Sequence, residues 1–111
     1  MSISIVCNLH AIGADERLRY SELVKRLRRA IRGSNELSDG YEFELDGDAI
    51  SLPELAEWIA MERLCCPFLV FQLSVSGDRP EWRLVLTGPA GVKAILASEF
   101  VAMPQNDKGF A

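Results

Sequence analysis

A chain of 111 residues, 49% hydrophobic and 25% charged, has the size and balance of one folded domain, without the charge excess of disorder or the Pro/Gly bias of a fibre. Its net charge of −4 disfavours nucleic-acid binding by the surface as a whole. No apolar run approaches the roughly 18 residues of a membrane span.

The opening run Met1-Ser2-Ile3-Ser4-Ile5-Val6-Cys7 lacks a basic region, and Asn8 and His10 cut its apolar stretch short of a signal-peptide core, so a cytoplasmic protein is expected. Thiols are kept reduced there. The three cysteines therefore read as buried hydrophobes, metal ligands or reactive thiols rather than as a disulfide framework.

In chain order, the alternation of Ile3, Ile5 and Cys7 predicts a first strand ending near Leu9, broken by Gly13. From residue 14 to about 32 the positions Leu23, Val24, Leu27, Ala30 and Ile31 recur at helical spacing, with Asp15 and Glu16 at the positive end of the helix dipole. Gly33-Ser34-Asn35 reads as the stop of that helix, and Asp39-Gly40 as a turn into the alternating strand Tyr41-Glu42-Phe43-Glu44-Leu45. Ser51 with Glu54 three residues later is a capping-box pattern, so a second helix starts near Leu52, and Pro67 ends it at about Cys66. Residues 68–75 and 81–86 read as two strands joined by a hairpin turning at Gly77-Asp78. Thr87-Gly88-Pro89-Ala90-Gly91 then opens a last helix, from Val92 to about Val101. The expected architecture is α+β, a two-layer sandwich with a mixed four-stranded sheet and three helices in the order βαβαββα. Residues 1–103 form the single domain and residues 104–111 a loose tail.

Charge is unevenly spread. Between Arg17 and Arg32 stand seven basic residues (Arg17, Arg19, Lys25, Arg26, Arg28, Arg29, Arg32) against the single acid Glu22, whereas Gly33 to Glu62 carries nine acids and no base. The economical reading is a solvated helix face answered by acidic neighbours within the fold or in a symmetric partner.

The chemically pointed run is Glu62-Arg63-Leu64-Cys65-Cys66-Pro67-Phe68. At 3.6 residues per turn, Leu55, Ile59, Glu62 and Cys66 share a face, with Trp58, Met61 and Cys65 on the adjacent one, so a carboxylate lies beside thiols. If that face is buried, Glu62 needs a partner: Arg63, the backbone or an ion. Two adjacent soft donors select Zn, Cu(I) or a thiophilic ion such as Hg. Cys7 offers a third sulfur and His10 a supporting nitrogen if the fold brings the first strand's end to the helix end. Against a reactive role, the negative end of the helix dipole opposes thiolate formation, and free cysteine often packs as a small hydrophobe. The junction Thr87-Gly88-Pro89-Ala90-Gly91-Val92-Lys93 offers a second, weaker candidate, an anion-binding turn using Thr87, Gly88, Gly91 and Lys93. Trp58 and Trp82 fall in amphipathic patterns and read as core.

Together with Cys7-Asn8-Leu9, Asp39-Gly40-Tyr41-Glu42-Phe43 and Ala56-Glu57-Trp58-Ile59, the Glu62–Phe68 run and Leu86-Thr87-Gly88-Pro89-Ala90-Gly91-Val92-Lys93 resemble a group of small bacterial proteins of unassigned function. The resemblance spans most of the chain, implies a bacterial cytosolic protein and carries over no site.

Two functional readings follow. In one, Cys65 and Cys66, with Cys7, capture a soft metal ion while Glu62 orients the site or accepts a proton. In the other, the cysteines only pack, and the chain is a structural or interaction module, such as a homodimer. A cysteine-nucleophile enzyme ranks below both, because nothing in the sequence pairs a base with a thiol.

Overall fold

A computed structural model of the chain describes residues 11–101. The expected strand over residues 3–9, with Cys7 and His10, and the tail at 104–111 lie outside the described residues.

The described elements run α1 (Ala14–Ala30), β1 (Ile31–Leu37), β2 (Gly40–Asp46), α2 (Leu52–Cys65), β3 (Val70–Val75), β4 (Glu81–Thr87) and α3 (Val92–Leu96), the last continuing as a π-helical turn over Ala97–Val101. The four described strands form one sheet in the order β1-β2-β4-β3. The α+β class, with three helices on a four-stranded sheet, is as the sequence predicts. Every described pairing is antiparallel rather than mixed.

The main departure lies after α1. The helix stops at Ala30, and Ile31 already has extended geometry (φ −69°, ψ 117°). Residues 31–37, predicted as a helix end and loop, instead form an edge strand paired with β2, with a register shift between Ile31 and Gly33. The tight turn at Ser38-Asp39 makes this possible, because it folds β1 back on β2 as a hairpin. Gly40 is needed beside it. A Cβ there would stand 1.9 Å from the Leu86 carbonyl oxygen on β4, so only glycine lets β2 approach that closely.

The hairpin at Gly77-Asp78 forms as expected between β3 and β4. The α2 boundaries also stand. Ser51 Oγ accepts the Glu54 N–H at 3.2 Å and the Glu54 carboxylate accepts the Ser51 N–H at 3.0 Å, completing the capping box. At the other end the Cys66 N–H still bonds the Glu62 carbonyl at 2.7 Å, and Pro67, lacking an N–H, ends the ladder.

Alternation along the strands sends Phe43, Leu45, Trp82, Leu84 and Leu86 into the core, where they meet Leu23, Val24, Leu27 and Ala30 of α1 and Leu55, Trp58 and Met61 of α2. The opposite sheet face is polar: Arg83 of β4 lies 3.2 Å from Glu42 and 3.8 Å from Glu44 of β2. Both tryptophans are buried, as their patterns predict.

The basic run of residues 17–32, which spans α1 and the start of β1, is answered from within the fold. Arg19 bonds Glu57 through two nitrogens at 2.8 and 2.9 Å, Arg28 meets Glu99 at 3.1 Å, and Arg26 and Arg32 pair with Glu54 and Asp46. Arg26 and Arg29 are exposed, as the amphipathic pattern requires. Among the described residues no helix is long and apolar enough to cross a membrane.

Candidate functional site

The last turn of α2 builds the site. Glu62, Cys65 and Cys66 each offer a ligand atom, and these three atoms all lie within 4.8 Å of one another. Glu62 is 5% exposed and both cysteines 0%. Helical spacing explains the grouping: Cys65 stands three residues after Glu62, and Cys66 four after it. The Cys65 sulfur lies 3.9 Å from Glu62 Oε1 and 3.7 Å from the Cys66 sulfur. Its thiol also points at the Glu62 carbonyl, 3.6 Å away. Cys65 is a free thiol, whereas Cys66 is disulfide-bonded.

Burial of Glu62 calls for a partner, and that partner is Tyr20 of α1, whose hydroxyl donates to Glu62 Oε1 at 2.6 Å. Arg63, the neighbour offered by the sequence, is exposed. Tyr20 was missed because it stands 42 residues from Glu62. One signal for it did exist. Tyr20 precedes Leu23, Val24 and Leu27 by three, four and seven residues, the spacing that puts it on the buried stripe of α1.

Desolvation sets the electrostatics. It raises the Glu62 pKa above the usual carboxylic value, against the hydrogen bond from Tyr20, which lowers it. Burial, reinforced by the neighbouring Glu62, pushes the Cys65 thiol up to about 11, and burial raises the Tyr20 phenol as well. Burial thus disfavours the charged forms of Glu62, Cys65 and Tyr20, while Cys66, in its disulfide, has no thiol to ionise.

For stability this sign is definite. An acid whose folded pKa is raised binds its proton more tightly in the folded state, so its contribution is full below the unfolded value and is lost as pH rises through the folded one. Stability should therefore decline as pH climbs above the ordinary carboxylic range of Glu62, and again from about pH 9 toward 11 as Cys65 ionises. Glu62→Gln should remove the first decline and leave the second, read as denaturant midpoint against pH. A first decline that survives in Glu62→Gln would place its origin elsewhere.

The second candidate, the turn before α3, is already engaged within the fold. The Gly88 N–H bonds the Asp39 carbonyl at 3.0 Å, and Lys93 pairs with Glu36 of β1. Gly91 caps the helix at φ 100°, and a Cβ on Gly88 would meet Val92 Cγ2 at 2.7 Å and the Phe68 carbonyl oxygen at 3.0 Å. Glycine at 88 and 91 thus fits the close packing and left-handed backbone of this joint. Thr87 is the last residue of β4, half-buried beside it.

Comparison with known proteins finds no match among family models, curated proteins or solved structures, so the chemistry of the site is read from its own geometry.

Proposed function

We propose that the reduced protein captures one thiophilic metal ion between Cys65 and Cys66, with the Glu62 carboxylate as a third donor. The observation that carries this reading is the convergence of the three donor atoms within 4.8 Å on one buried helix end. The sulfur spacing agrees with it. Two metal–sulfur bonds of about 2.3 Å at a tetrahedral angle place the sulfurs about 3.8 Å apart, against 3.7 Å in the structure. A linear two-sulfur site, as digonal Cu(I) or Hg(II) prefers, would need about 4.6 Å at the same bond length.

Tetrahedral coordination leaves a fourth position. Cys7, with His10 in support, is our candidate for it from the sequence. Soft-ion capture also agrees with the resemblance to bacterial cytosolic proteins, because a cytosolic chain holds its thiols reduced. In the reduced protein burial disfavours the charged forms of Glu62 and Cys65, so ion binding must displace protons from the thiols, and affinity should rise with pH.

The full burial of both cysteines favours a second reading, in which they are packing residues of a non-enzymatic structural or interaction module such as a homodimer. Titration of the reduced protein separates the two. With Zn(II), then Cu(I) and Hg(II), mass under native conditions should rise by one ion per chain, with thiolate-to-metal absorption for the latter two. A fully reduced chain that takes up none of the three ions would leave the packing reading.

A further inference from the structure

Within the donor triangle the two sulfurs differ in state. Cys65 is a free thiol, Cys66 is disulfide-bonded, and the two sulfurs stand 3.7 Å apart in full burial. A disulfide sulfur carries no thiolate charge, and the thiolate is the form that ligates metals. The oxidised site therefore retains one thiol and one carboxyl, too few donors to hold an ion in a tetrahedral shell.

We propose that the Cys66 disulfide is a redox gate on the ion site, closed when oxidised and open when reduced. The inference rests on the ion-binding reading above and adds its regulation. Here the unused thiol and the buried carboxyl converge on the bridged sulfur.

The chemistry balances with a dithiol as reductant. The S–S bond of Cys66 breaks, and the dithiol supplies two electrons as its own sulfurs close into a cyclic disulfide. Its two protons complete the two cysteine thiols that are released. The entering ion then displaces protons from the thiols it binds. A disulfide oxidant runs the sequence backward and expels the ion. Because Cys66 is 0% exposed, attack on its disulfide requires local opening, so dithiothreitol should reduce the native protein more slowly than the denatured one.

The test uses the full chain in two states, oxidised and dithiothreitol-reduced, each freed of reductant and titrated anaerobically with Zn(II) against a chelator. Peptide mapping of the oxidised sample should find Cys66 in a disulfide and Cys65 as a free thiol. Zinc affinity should be at least about 100-fold higher in the reduced state, since loss of a supporting group alone costs 10–100-fold. Reoxidation should release the metal. Equal affinity in both states overturns the gate while leaving the ion site standing; no zinc uptake by the reduced chain overturns both. Cys66→Ser should bind weakly under either condition, and retained redox dependence in that variant would also defeat the proposal.

Discussion

In the reduced protein, Cys65→Ser lowers affinity for a thiophilic ion by more than about 100-fold. Removing a group that merely orients a ligand costs 10–100-fold in metal affinity, so removing the ligand itself should exceed that range. Cys65 is the sharper choice of the two thiols because it is free and its sulfur touches both other members, at 3.9 Å from Glu62 Oε1 and 3.7 Å from the Cys66 sulfur. Serine keeps the approximate volume and can still hydrogen-bond Glu62, so the fold should lose only about 1 kcal/mol. Competition titration read beside a denaturant curve separates loss of a donor from loss of structure. Wild-type affinity in a folded Cys65→Ser protein would exclude this sulfur from the site.

The largest effect on stability falls on Trp58, whose replacement by alanine should cost about 3–5 kcal/mol. Trp58 is fully buried and joins three elements: it stands edge-on to Phe71 of β3 at 5.9 Å and 77° and to Phe100 of the π-helical turn at 6.1 Å and 88°. Alanine would leave a cavity bounded by two rings and the sheet, with little in reach to fill it. Trp58→Phe should cost less than half as much. It keeps most of the aromatic surface and removes an indole N–H that is buried with no hydrogen-bond partner among the described residues, a group that is unfavourable to bury. Chemical denaturation measures both variants. Near-equal losses would show that ring contact contributes little at this position.

Both effects trace to α2, the element most legible in the sequence. Ser51 and Glu54 mark its start and Pro67 its end, because each acts locally on backbone hydrogen bonds. Its periodicity also placed Glu62 beside the thiols. The alternating Tyr41–Leu45 run and the Gly77-Asp78 turn were legible for the same local reason.

What the sequence hid depends on contacts between distant residues. Arg32, Gly33, Ser34, Asn35 and Glu36 have little strand character, and they form β1 because the hairpin supplies β2 as a partner and an exposed edge tolerates polar side chains. Tyr20 is the counterpart at the site. Its helical position was readable, but its bond to Glu62 exists only because α1 packs on α2. The disulfide at Cys66 likewise was not foreseen, since a cytoplasmic setting argues for reduced thiols.

Whether Cys65 and Cys66 hold the same ion is tested most directly by X-ray absorption spectroscopy of the reduced protein loaded with one equivalent of zinc. The geometry predicts at least two sulfur scatterers per zinc at about 2.3 Å, completed by lighter oxygen or nitrogen ligands. A zinc shell of oxygen and nitrogen alone, or a single sulfur per ion, would contradict it.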